Sequence, residues 1–363
     1  MQTKTVLLTQ RTQEFKLDAA NPPVIWLHPN AGERGYYRWS VARPLLTTMA
    51  EQASKRLEPR ERVGFVGNLS GLFAAGELHG GDYYRLLGSF ARDPEPGVLQ
   101  AALAALEDVE SALVTPDVRG AYATYLRRTL GPALERIGPA AQPGEPPAVA
   151  DLRSSLVLSL GTTGDDPRVQ AYSKELTTAY LADPSRVDPS LAGAALFVAA
   201  AHGDRALFEA LRQRFETTTV PNDRRRLLLA LGGFHDPALV EEALKYTLAP
   251  VVRPQEVAAI PRAIQRDPAT GDRGSRWVLE HYDEIAHRVP EMVVAFIPGQ
   301  ALRRVCSAQR LAEVRTFFSE TRHVVAGTEK ELARASEAVQ DCIALRAREG
   351  ASVTAYLRTV DPR

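Results

Sequence analysis

A mainly α-helical fold, a stack of helical hairpins behind a short β segment, is predicted by three observations. The apolar residues change from a strand-like to a helical period near Trp39. A helix, glycine, aspartate, helix pattern then recurs three times in the middle of the chain. Proline and glycine, 25 of each, are scattered as punctuation between periodic segments rather than pooled.

The elements follow in order. "KTVLLTQ" and "PPVIWLH" are short, β-branched or aromatic-rich runs separated by Asp18, Asn21, Pro22 and Pro23, so residues 1–38 read as strands and turns. Within them "WLHPNAGERGYYRW" bends at Asn30 and Gly32, admits a return strand at Gly35, and leaves His28 at a strand end. Residues 39–363 read as helical. "LEPRERVGFVGNLSGLFAAGEL" sets Val63, Val66, Leu69, Leu72 and Phe73 three or four apart as one core-facing stripe, with Gly76 as a helix C-cap. "GPAAQPGEPP", Gly138–Pro147, can be neither helix nor central strand and reads as an exposed loop or joint.

The repeated segments are "LSLGTTGDDPRVQAYSKEL", "FVAAAHGDRALFEALRQRF" and "LLALGGFHDPALVEEALKYTL". Gly164, Gly203 and Gly233 are expected to end each first helix in the left-handed conformation, and Asp166, Asp204 and Asp236 to cap each second one. The second helices carry the stripes Val169/Tyr172/Leu176/Tyr180, Leu207/Phe208/Leu211/Phe215 and Leu239/Val240/Leu244/Leu248. Their aspartates lie 38 and 32 residues apart, the spacing of a HEAT-like α-solenoid, whose curvature makes a concave binding face.

Composition narrows the function. Lysine plus arginine and aspartate plus glutamate are both 44, which leaves no basic field for nucleic acid or anionic lipid. No run of about 18 apolar residues and no signal-like amino terminus appear, so the chain reads as soluble, without a membrane partner, and cytoplasmic unless an export signal precedes Met1. The two cysteines, Cys306 and Cys342, read as buried free thiols rather than a disulfide framework or a zinc site.

Catalytic motifs are missing. The sequence has no H-E-x-x-H, no G-x-S-x-G, no Walker loop and no G-x-G-x-x-G. His281 and His287 are six residues apart, which sets their rings about 120° apart on a helix and reads as two solvent-facing histidines. The other histidines at turns, His28, His79, His202 and His235, read as hydrogen-bonded turn residues, and Arg224–Arg226 as a solvated face at a helix start. No catalytic or metal residue is assigned.

Beyond these patterns, "VIWLHPNAGERGYYRW" resembles the segment closing the small β-sandwich of zinc aminopeptidases of the aminopeptidase N and endoplasmic-reticulum aminopeptidase type. Their pattern W-x-x-x-N-x-G-x-x-G-Y-Y-R is matched by Trp26, Asn30, Gly32, Gly35, Tyr36, Tyr37 and Arg38. "ERVGFVGNLSGLFAAGEL" is similar to the helix that follows, with Asn68 where an aspartate is usual. Farther on, Arg253, Gln255 and Glu256 fit R-x-Q-[DE], Asp267 replaces the asparagine before Pro268, and Trp277 fits a tryptophan. "RLAEVRTFFSE" resembles the helix near the family's end, and the tryptophan expected after it is missing from "DCIALRAREG".

The resemblance implies a β-sandwich remnant followed by a helical domain that encloses the peptide cavity of the enzyme and is not itself catalytic. Zinc then belongs to a catalytic domain upstream in the same polypeptide, and this chain needs no cofactor. Its implied partners are that domain and the peptide substrate. Arg253, Gln255, Glu256 and Arg266 become candidate cavity contacts, the arginines because guanidinium holds a carboxylate with two hydrogen bonds. The residues alone also fit a different reading for the first three, capping and bracing a helix start. The whole chain likewise has an alternative, a free-standing helical-repeat adaptor that binds another protein.

Overall fold

The computed structural model describes residues 3–15 and 26–361. The chain divides into two units, Met1–Leu106 and Glu107–Arg363. Among the described residues there is no strand. "KTVLLTQ" carries no regular structure, "PPVIWLH" is described only from Trp26, and "NAGE" forms a 3-10 turn, Ala31–Glu33, instead of a hairpin bend. A strand needs a hydrogen-bonded neighbour, and Val6, Leu7 and Leu8 are exposed here without one.

In the first unit, α1 (Arg43–Arg56), α2 (Pro59–Ala74) and α3 (Gly80–Phe90) pack against one another, followed by α4 (Pro96–Leu113), which runs across the unit boundary. The core is aromatic. Trp39 meets Phe65 at 5.1 Å, Phe65 meets Phe90 edge-on at 5.3 Å, and Phe73 stacks on Tyr83 at 4.3 Å. Val66, Leu69, Leu72 and Phe73 are buried, but Val63 is exposed and Phe65 takes its place. At 100° per residue Val63 lies about 120° from Leu69, beyond the edge of the stripe, whereas Phe65 lies about 40° away. Gly76 does adopt φ 79°, and the amide of Glu77 returns to the carbonyl of Leu72 to close the helix end.

The second unit begins with α5 (Arg119–Ile137), α6 (Pro147–Gly161), α7 (Pro167–Ala182), α8 (Pro189–Ala201), α9 (Arg205–Thr217), α10 (Pro221–Leu231), α11 (Pro237–Tyr246) and α12 (Ala259–Ile264). Asp166 accepts from the amides of Arg168 and Val169, Asp204 from Leu207, and Asp236 from Ala238 and Leu239, so all three hairpins are capped by the aspartates the pattern names. The glycines act otherwise than expected. None of Gly164, Gly203 and Gly233 has a positive φ, and in the first hairpin it is Asp165 that does, at 47°. They are glycines for lack of room: a Cβ on Gly203 would sit 2.7 Å from Leu207 and 2.9 Å from Phe234, and one on Gly164 2.8 Å from the Leu160 carbonyl. The α7 stripe is also rotated, with Ser173 and Thr177 buried and Tyr172 and Leu176 only half-buried.

The joint at Gly138–Pro147 is organised by one side chain. Arg153 is fully buried, donates to the carbonyls of Ile137 (3.2 Å) and Gly138 (2.8 Å), and forks onto Glu145, with one bond of 2.6 Å. Arg224 is also buried, forked onto Glu256 and stacked 4.1 Å over Phe215, so the start of the arginine run is core and not a solvated face. A planar, always-charged group with five donors can satisfy several orphan helix-end carbonyls at once.

The chain ends with α13 (Gly271–Glu280), α14 (Tyr282–Arg288), α15 (Glu291–Val294), α16 (Ile297–Ala301), α17 (Ala308–Phe317) and the 33-residue α18 (Thr328–Val360). Packing within this unit proceeds neighbour to neighbour, α5 on α6, then α8, α10, α12, α13, α16 and α18, and α18 returns to α5. The circuit closes through Tyr125 against Tyr356, Arg128 on the Val360 carbonyl (2.7 Å), and Arg346 on the carbonyls of Ser111 and Ala112. Cys306 and Cys342 are joined in a disulfide rather than free, because the segment after α16 passes beside α18 with their Cα atoms 5.4 Å apart.

Candidate functional site

In the first unit the aromatic loop is laid onto α2. Gly64, Gly67 and Gly71 share one face of that helix, and the side chains of Glu33 and Arg38 occupy the space they leave: a Cβ on Gly64 would collide with the Glu33 carboxylate and one on Gly71 with Arg38. Asn68 pins the end of the loop, accepting from the Trp39 amide (3.0 Å) and donating to the Trp39 carbonyl (2.9 Å). An aspartate could only accept there, so asparagine makes one bond more.

Asn30 folds the loop on itself. Its amide bonds the backbone N–H and carbonyl of Gly35, both at 2.9 Å, and reaches Glu33 at 3.0 Å, while the Gly32 amide, at φ 72°, donates to buried Glu61 at 2.6 Å. Gly35 has no space for a Cβ against the Tyr37 ring, and the Tyr37 hydroxyl donates to the Pro29 carbonyl. Trp26 lies beside His28 and under Arg56, whereas Tyr36 is fully exposed.

His28 is not a hydrogen-bonded turn residue. It is buried between Trp26 and Trp39, and among the described residues neither ring nitrogen has a hydrogen-bond partner; Nε2 stands 3.6 Å from Glu33. Burial holds its pKa below the ordinary histidine value, against the opposing pull of Glu61 and the Asn30 backbone. Burial, together with Glu61, pushes Glu33 upward against Asn30 and Arg38.

In the second unit the candidate contacts fall into two groups. Arg253, Gln255 and Glu256 lie in and beside a 3-10 turn, Pro254–Glu256, with Arg253 and Gln255 exposed. Glu256 is engaged: it accepts from Arg224 Nε (2.8 Å) and Nη2 (2.7 Å) and from the Arg253 amide (3.0 Å). Burial alone would raise Glu256, but the Arg224 hydrogen bonds and the Arg253 amide outweigh it and hold its pKa below the usual carboxylate range.

Arg266 belongs to the other group. Solvent reaches its side chain, yet burial is the main cause lowering its pKa. Its guanidinium lies 5.5 Å over the Phe197 ring, and the charges of Glu107, Arg304 and Glu110 act on it. Arg304 bonds Glu110 at 2.7 Å, and burial raises Glu107 against the pull of Arg266. Next to it, Asp267 takes His235 at 3.2 Å, the Ala269 amide at 2.6 Å and Arg119 at 3.7 Å. Glu107, Glu110, Arg303 and Arg304 escaped sequence reasoning, since they come from elements about 190 residues apart; the adjacent arginines of "ALRRV" are the only local signal.

No metal centre emerges. Among the described residues no three His, Cys, Asp or Glu side chains are grouped to hold one ion. His281 is spent on Glu284 and the Trp277 ring, and His287 on the Asp283 carbonyl. These residues do not fit a zinc ion. No helix among the described residues is long and apolar enough to cross a membrane.

Residues 26–341, from the aromatic loop into α18, match the family described as ERAP1-like C-terminal domain. The chain belongs to that family. Among curated proteins it is similar to the alanine/arginine aminopeptidase of Saccharomyces cerevisiae, 23% identical over 359 residues, covering 98% of this chain and 41% of that protein. The aminopeptidase M1-A of Oryza sativa is 24% identical over 318 residues, 84% of this chain and 36% of its own length. The puromycin-sensitive aminopeptidase of Caenorhabditis elegans is 24% identical over 255 residues, 69% of this chain and 27% of its own. The chain therefore spans less than half the length of these relatives.

Proposed function

We propose that this family member is the helical, non-catalytic part of a zinc-dependent aminopeptidase that removes N-terminal residues from peptides. In this reading the second unit is a HEAT-like curved wall that encloses the peptide and controls its access, while zinc and bond cleavage belong to a catalytic domain upstream in the same polypeptide. The first residues continue a β-sandwich shared with that domain, which supplies the strand partners Val6–Leu8 lack. The observation that carries the reading is the family match through residues 26–341 in a chain whose aligned curated relatives are aminopeptidases.

Arg253, Gln255 and Arg266 are the peptide-facing residues of this reading, and Glu256, bonded to Arg224 and to the Arg253 amide, holds the turn that carries Arg253. Arg266 suits a peptide carboxylate because a guanidinium on a concave, partly desolvated face binds it more strongly than one in bulk water. The purified chain is expected to hold no stoichiometric zinc and to leave aminoacyl-naphthylamides intact. About one tightly bound zinc with turnover would overturn the reading. Reading the gene upstream for H-E-x-x-H and G-x-M-E-N is a second check, and joining that segment to this chain should give an active enzyme. In it, Arg266→Ala should raise KM roughly ten-fold with kcat unchanged.

A further inference from the structure

The middle of α18 is held differently from its ends. Its buried apolar side chains are Ala335 and Val339 toward the start and Val353 and Leu357 toward the finish, and no side chain of residues 340–348 is buried. That stretch is tied down by half-buried Ile343 and by two groups four residues apart, on one face of the helix: Cys342, in its disulfide with Cys306, and Arg346. Arg346 donates to the carbonyls of Cys306 (3.2 Å), Ala112 (2.8 Å) and Ser111 (2.6 Å). Gly350 follows at once. Only Arg346 Cγ, at 3.9 Å, stands near the place of its missing Cβ, so clearance does not require a glycine there, and glycine inside a helix weakens it relative to alanine.

The surroundings of the disulfide favour its exchange with thiols. Cys306 and Cys342 are both half-buried, so solvent reaches the bond. The Arg346 guanidinium rests on the Cys306 carbonyl, and Cys306 directly precedes Ser307, the N-cap of the 10-residue α17, whose first amides carry partial positive charge. A nearby cation and a helix N-terminus both stabilise a thiolate, which makes Cys306 the better leaving sulfur.

We propose that Cys306–Cys342 is a thiol-exchange site: a dithiol reductant opens it in the folded chain and turns residues 340–350 of α18 into a hinge. A thiolate of the reductant attacks Cys342 Sγ, and the electron pair of the S–S bond leaves on Cys306 Sγ. The second thiol of the reductant then displaces the Cys342 sulfur from the mixed disulfide. The protein gains two electrons and two protons, and the reductant departs as its own disulfide. With the bond open, Ile343 and Arg346 alone hold the middle of α18, between ends that stay anchored by Val339 and Val353. The site stands apart from the peptide-enclosing reading and is measured without catalysis.

The test is reduction of the whole folded chain by dithiothreitol, with alkylation of the freed thiols and amide exchange of the oxidised and reduced forms. Thiols should appear at a rate proportional to dithiothreitol concentration while helical dichroism stays constant. Residues 340–350 should then exchange about ten-fold faster with α8 and α10 unchanged, an increase that Gly350→Ala diminishes and oxidised glutathione reverses. The double variant Cys306→Ser, Cys342→Ser should show the same fast exchange without reductant. The proposal is overturned if thiols appear only at the rate of global unfolding whatever the dithiothreitol concentration, if exchange at 340–350 does not change, or if it rises equally throughout the second unit.

Discussion

Replacing both Cys306 and Cys342 by serine should lower the melting temperature of the second unit by about 7 °C. The bond closes a loop of 36 residues, and in the chain-entropy treatment such a link removes about 13 cal/mol/K from the unfolded chain, or roughly 3.8 kcal/mol at 25 °C. The second unit has 257 residues, Glu107 to Arg363, which at about 2.1 cal/mol/K per residue have a melting entropy near 0.54 kcal/mol/K. The ratio of the two is the expected shift. The crosslink also lies where the circuit closes, since Arg346 bonds the Cys306 carbonyl at 3.2 Å as well as the end of α4, so the loss should be concentrated around α18. Calorimetry of the parent, the parent under a phosphine reductant and the double serine variant measures the shift, and amide exchange locates it. Two reactive thiols in the denatured, unreduced parent, or a serine variant melting within a degree of it, would refute the reasoning.

Asn68→Asp should cost about 1–2 kcal/mol in urea unfolding, because the Trp39 carbonyl loses its donor and a carboxylate is buried; an unchanged midpoint would mean the loop is not held there. Glu256→Ala should cost about 3 kcal/mol by stranding buried Arg224, whereas Glu242→Ala, whose partner Arg205 is exposed, should cost under about 1 kcal/mol; equal losses would contradict the burial argument. His28 is held below its ordinary pKa, so the unfolded chain takes up its proton first: its contribution is present above about pH 6.5 and is lost as pH falls through the folded value. Glu33 has the opposite sign, its pKa being raised, and favours the fold as pH falls toward the carboxylate range. His28→Gln should therefore flatten the loss of stability between pH 7.5 and 5.5, and parallel curves for parent and variant would falsify this.

The hairpin caps were legible because they are local. An aspartate followed by an amphipathic run finds its partner amides two or three residues away, so Asp166, Asp204 and Asp236 could be named from spacing alone. The roles of Gly164, Gly203 and Gly233 were not, since nothing local tells a glycine required for φ from one required for clearance, and the clearance at Gly203 is against Phe234, a residue of the next hairpin. The charge run at Arg224 misled for the same reason: its carboxylate is 32 residues distant. The aromatic loop gave up its turn residues, Asn30 and Gly32, but its expected strands are not formed among the described residues.

The sequence by itself determined the helical character of the chain, the three capped hairpins, the family resemblance and the lack of catalytic motifs. These depend on residue type and short spacing, where backbone geometry sets the partner. Only the tertiary structure decided the disulfide, the burial of Arg153, Arg224 and His28, and the pairing of Glu110 with Arg304 near Glu107 and Arg266. Each joins side chains distant in sequence or turns on burial, and depends on where the circuit of helices closes, which no local interaction specifies.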